Sequence, residues 1–124
     1  MEKKPIATAE APGAIGPYSQ GWTVGELVFT SGQIGADPST GAVPEGIAAQ
    51  AEQSCKNVIA VLAAGGAAAE DVVKTTCFLA DMNDFAAFNA VYAKYFVNNP
   101  ARSCVAVRTL PKGLLCEIEA VAAL

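Results

Sequence analysis

Two helical stretches, each set between β-rich runs, limit the folds open to this chain. Between residues 46 and 64, Ile47, Ala51, Cys55, Val58, Ile59 and Leu62 recur at steps of three and four, the spacing that lines one face of an α-helix. Gln50, Glu52, Gln53, Lys56 and Asn57 fall mostly on the other side, and Gly65-Gly66 supplies a stop. A second stretch carries Phe85, Phe88, Val91, Tyr92, Tyr95 and Phe96 at helical spacing, which reads as core packing. Asn83 or Asp84 is placed to cap its start, and Asn98-Asn99-Pro100 to end it.

The remaining runs read as strands. Residues 19–23 and 27–31 flank a Gly-containing turn, a hairpin signal. Residues 72–79 form a third strand, and 103–109 and 116–121 two more, joined at Pro111-Lys112-Gly113. Residues 1–17, rich in Pro, Gly and Ala, read as an irregular arm. Residues 32–46, with Pro38, Gly41 and Pro44, read as a long turn-rich connection. The order β-β-α-β-α-β-β predicts an α+β fold, two helices packed on one face of a mixed sheet. At 124 residues the chain is one domain, 1–124.

Only 16% of the residues are charged, against about 25% in ordinary globular domains, and 52% are hydrophobic. So few charges over so much surface suggest burial against copies of the same chain; an excess of small alanines is the alternative. A net charge of −4 and a pI near 4.6 argue against nucleic acid as the main partner. There is no histidine, which excludes His-based triads and His-ligated metals. Cys55, Cys77, Cys104 and Cys116 form no C-x-x-C pair, so no zinc-type spacing exists and no metal is expected. No signal-peptide pattern and no apolar run of about 18 residues is present. The expectation is a cytoplasmic protein with no membrane contact and reduced, mostly structural cysteines.

The phosphate-loop, dinucleotide and nucleophile-elbow motifs are absent. Arg102, at the mouth of a strand, can present a planar fork to a carboxylate, or can be a solvated strand-end residue. Glu117 and Glu119 share one face of the last strand. Exposed, they are surface charges; covered by a second subunit, one could orient water. Cys104 lies on the face of Arg102 but lacks the histidine that would make it a thiolate nucleophile, so it reads as a pocket wall. Tyr18, after Gly16-Pro17, can close a pocket or plug the core. Ser31-Gly32 ends a strand where a ligand could approach the backbone, or is a simple turn.

Together these segments resemble a known family. Ile15-Gly16-Pro17-Tyr18-Ser19-Gln20-Gly21, Thr30-Ser31-Gly32-Gln33-Ile34, Val73-Lys74-Thr75-Thr76, Pro100-Ala101-Arg102-Ser103, Leu110-Pro111-Lys112-Gly113 and Glu117-Ile118-Glu119-Ala120 resemble the reactive-intermediate deaminases, also called the YjgF/YER057c/UK114 family, over nearly the whole chain. The resemblance implies a chorismate-mutase-like fold and a homotrimer with a central barrel and ligand clefts between subunits. It implies hydrolysis of 2-iminobutanoate, 2-iminopropanoate and their enamine tautomers to 2-keto acids and ammonia, without a cofactor. It also assigns roles: Arg102 to bind the substrate carboxylate, Glu117 to position water, Tyr18, Gly32 and Cys104 to contact the ligand, and Asn89 to lie near the cleft. Ser31, next to Gly32 at the strand end, is a further candidate for substrate binding. The sequence departs from the family pattern at Ala106, where many members carry Glu, and at Cys116, where a β-branched residue is usual. Rival expectations are a 2-keto-acid-binding regulatory module, an endoribonuclease or translation inhibitor, and a holdase-type chaperone.

Overall fold

In the computed structural model, which describes residues 1–124, the strands join in one mixed sheet. They are β1 (Lys3–Ile6), β2 (Gly21–Val24), β3 (Leu27–Thr30), β4 (Gln33–Ile34), β5 (Val72–Leu79), β6 (Ala101–Ala106) and β7 (Cys116–Ala123). The order is β1-β2-β3-β7-β5-β6, with β4 also paired to β7. Only β5 and β6 run parallel; the crossover between them is α2 (Phe85–Tyr95), as a parallel connection requires. The other helix is α1 (Ile47–Ala64).

Both helices cover the same face of the sheet. Ala51, Cys55, Val58, Val61 and Leu62 of α1, with Phe88, Val91 and Tyr92 of α2, pack on Cys116, Ile118, Ala120 and Ala122 of β7. Each larger apolar side chain buried there contributes about 1.5–3 kcal/mol. The opposite face has no helix. Trp22, Leu27, Phe29 and Val105 remain exposed on the sheet.

Several local expectations need correction. The arm at 1–17 contains a strand: β1 pairs with β2, Lys3 opposite Val24 and Ile6 opposite Gly21. Pro5 is tolerated because β1 is an edge, and Ile6 anchors it in the core. The start of α2 is capped neither by Asn83 nor by the Asp84 side chain. Asp81 accepts from the Asn83 N–H at 2.8 Å and caps a 3-10 turn that leads into the helix. The strand expected at 103–109 runs from Ala101 to Ala106 because its parallel partner stops at Leu79, opposite Ala106.

The polar side of α1 is not all solvent-facing. Gln50, Ser54 and Asn57 are buried and clamp the chain between β4 and α1. Ser54 Oγ donates to Gln33 O, and Asn57 Nδ2 donates to Ile34 O and Ala36 O, each at 2.9 Å or less. Gln50 donates to Pro44 O and accepts from the Leu115 N–H. The stripe replaces the strand partners that this irregular segment lacks.

The clamp holds a β-bulge. From Phe29 to Gln33 the chain advances four positions, while its partner β7 retreats three, from Val121 to Ile118. The extra residue falls at Ser31-Gly32. The Ala120 N–H is satisfied by Thr30 Oγ1 at 3.0 Å. Such bulges re-aim the residues around them, and this one places Gly32 and Ile34 beside Glu117.

Candidate active site

Strand register fixes where each candidate residue points. Glu117 pairs with Phe78 of β5, and Phe78 pairs with Val105 of β6. Directly paired residues share a face, so Glu117 lies on the open face. It borders a cleft of about 280 Å³ whose lining includes Ile15, Tyr18, Gly32, Ile34 and Lys112. Burial, and secondarily the neighbouring Glu119 charge, raise its carboxyl above the ordinary glutamate range.

Tyr18 reaches this cleft on a loop tied down by Gln20, which is buried. Gln20 Oε1 accepts from the Thr8 N–H, and its Nε2 donates to Thr8 O, Ala11 O and Pro12 O. Ser31 serves the same purpose. Its hydroxyl donates to Ser19 O at 2.6 Å, so it holds the Tyr18 loop and is not among the residues lining the cleft.

Arg102 pairs with Thr75, and Cys104 with Cys77. Thr75 and Cys77 in turn pair with the buried Ala120 and Ile118 of β7, so Arg102 and Cys104 lie on the helix-covered face. Arg102 Nη1 donates to Asn89 Oδ1 at 2.7 Å. Its guanidinium carbon is 4.8 Å from the Tyr92 ring centroid and 5.5 Å from that of Phe85. A shallow depression of about 290 Å³ is lined by Asn89, Tyr92, Ala93, Asn99, Pro100 and Arg102. The cation is thus held by a neutral amide and two rings.

The cysteines are poor nucleophiles. Burial pushes the Cys104 thiol up, opposed by Arg102. Burial pushes Cys77 and Cys116 up to about 12 and Cys55 higher still. Cys55, Cys77 and Cys116 are buried, as the core reading expected.

The chain therefore divides the expected site in two. Glu117, Gly32 and Tyr18 gather at one cleft; Arg102, Asn89 and Cys104 lie on the other face of the sheet. Sequence reading placed Arg102 with Cys104 and Glu117 with Glu119, and both pairings hold. It did not separate the two pairs. It also missed Gln20, whose only signal was its place in the Ile15–Gly21 motif.

Residues 8–124 match the family described as Endoribonuclease L-PSP. A 2-iminobutanoate/2-iminopropanoate deaminase of Salmonella typhimurium is 54% identical over 96% of both chains. The chain belongs to the reactive-intermediate deaminase family. Among solved members of that family, Escherichia coli TdcF with bound serine superposes with a TM-score of 0.94 at 48% identity, covering 98% of each chain. The yjgF gene product of the same organism gives 0.93 at 52% identity, covering 97% of this chain and 98% of that one. The α+β architecture with both helices on one face is thus the family's, and the bulge at Ser31-Gly32 lies within a segment that carried the resemblance.

Proposed function

We propose that this chain hydrolyses small 2-imino acids and their enamine tautomers, 2-iminobutanoate and 2-iminopropanoate among them, to 2-keto acids and ammonia. The observation that carries the reading is the state of Arg102: a cation oriented by two rings and a neutral amide, with N–H donors left for an external carboxylate. With the carboxylate held, the electrophilic C2 is fixed relative to water. Glu117 accepts a proton from that water as its oxygen adds to C2 and the C=N electron pair moves to nitrogen. The proton passes to nitrogen to give a carbinolamine; Glu117 then relays the hydroxyl proton to the amine, and ammonia leaves as the C–N bond breaks and the C=O bond forms. Tyr18 and the Gly32 backbone wall the cleft around Glu117, and the Cys104 backbone flanks Arg102. The chemistry calls for no cofactor.

The two halves are proposed to meet between copies in a homotrimer, the Arg102 half of one subunit facing the Glu117 half of the next. The uncovered face with Trp22, Leu27, Phe29 and Val105 supports this reading, since unpartnered apolar surface of this kind is what an interface covers. The endoribonuclease name of the matching family points to another activity. The net charge of −4 and the lack of histidine favour a small carboxylate over a polyphosphate backbone. The test is a coupled assay. Threonine dehydratase generates 2-iminobutanoate, semicarbazide traps what survives, and the protein is expected to suppress trapping. Undiminished trapping would overturn the reading.

The acid limb of activity reports Glu117. Its carboxyl must be ionised to accept a proton, so kcat/KM should rise with pH through a value above the ordinary glutamate range. Glu119→Gln removes the nearby like charge and should move that limb to lower pH. Because burial is the larger cause, the move should be small; an acid limb that persists unchanged in Glu117→Gln would detach the profile from Glu117.

A further inference from the structure

Phe85, Asn89 and Tyr92 fall at positions i, i+4 and i+7 of α2 and so share one face. All three touch Arg102. The Arg102 guanidinium lies over both rings, 5.5 Å from the Phe85 centroid and 4.8 Å from that of Tyr92, and donates to Asn89 Oδ1. Rings packed on a guanidinium take its faces and leave its in-plane N–H groups free. The two rings differ in how they are held. The Tyr92 hydroxyl lies 2.7 Å from Thr75 Oγ1, both residues being buried. Thr75 is also the register partner of Arg102 on the neighbouring strand. Ring, hydroxyl pair and strand pairing close a loop that returns to the arginine.

We propose that Tyr92, locked by Thr75, is the positioning residue that sets the plane of the Arg102 guanidinium for bidentate capture of the substrate carboxylate. This rests on Arg102 being the carboxylate anchor, and it adds a residue that sequence reading assigned to core packing alone. Asn89 accepts from one N–H of the fork, Tyr92 packs nearest to it, and Phe85 packs at a slightly greater distance.

The test uses the full chain and 2-ketobutanoate as probe, read by NMR titration, alongside kinetics on 2-iminobutanoate. Tyr92→Leu is expected to raise the probe Kd and the KM by about 10-fold, as loss of a desolvated cation–π contact implies, with kcat changed far less. In an Arg102→Ala background the same substitution should add nothing. Tyr92→Phe and Thr75→Val should each cost about threefold and not add, as expected of one shared hydrogen bond; both remain informative if Tyr92→Leu does not fold. An unchanged Kd in Tyr92→Leu, or an equal loss with and without Arg102, overturns the proposal. A second readout is independent of ligand. The Arg102 Cδ protons should be shifted upfield by the rings in the wild type and relax toward ordinary values in Tyr92→Leu. A shift that persists overturns the positioning role. If the shift is lost but Arg102→Ala binds the probe like wild type, positioning stands and the carboxylate-anchor reading is the one that fails.

Discussion

Arg102→Ala is expected to lower kcat/KM for 2-iminobutanoate by roughly 100-fold, the loss of one bidentate charge-assisted contact of about 3 kcal/mol. The fold should survive it. Arg102 is only partly buried on an edge strand, and the Asn89 oxygen it leaves is in a half-exposed residue that water can reach. Arg102→Lys keeps the charge but loses the fork and should recover only a small part of the activity. The measurement is the semicarbazide assay beside a urea unfolding curve. Full turnover by Arg102→Ala would remove the anchor from the mechanism.

The second large effect separates two glycines three residues apart. A Cβ on Gly35 would lie 2.3 Å from Gln50 O and 2.8 Å from Gln50 Cα, both in the backbone of α1. Nothing there can turn aside, so Gly35→Ala should force α1 off the sheet and cost about 3 kcal/mol, a large part of the stability of a domain this size. A Cβ on Gly32 would lie 2.0 Å from Glu117 Oε2 and 2.7 Å from its Cδ, the far end of a flexible side chain. Gly32→Ala should leave the urea midpoint near wild type, because Glu117 can swing away. Activity should fall by about 100-fold as the water is misplaced. A Gly35→Ala without effect on stability would mean that α1 can yield at Gln50, and a fully active Gly32→Ala would mean that the bulge does not set the carboxylate.

What the sequence made legible follows the range of each interaction. The strand at 72–79 and both helices were readable because period and terminators are local: Gly65-Gly66 after α1, Asn99-Pro100 after α2. The edge strand β1 was not, since Lys-Lys-Pro-Ile has no alternation and becomes a strand only through its pairing with β2. Gln50 and Asn57 read only as the polar side of the helix because the backbone they clamp, at Ile34, Ala36, Pro44 and Leu115, lies outside the helix and does not figure on a helical wheel. The candidate site was named residue by residue through the resemblance. Its division between two faces needed the register of three strands, which no single segment encodes. Tyr92 shows the same limit: spacing marked it as core, and burial agrees, but its contact with Arg102 depends on where β6 falls.

The placement of Arg102 and Glu117 on opposite faces of one sheet has a genetic consequence. If each working site draws its arginine and its carboxylate from different copies, two dead alleles can rescue one another. Arg102→Ala and Glu117→Gln chains, each strongly impaired alone, should regain activity when unfolded together and co-refolded, because a mixed ring can hold one interface with both native residues. A site contained within one chain could never be rebuilt by such mixing.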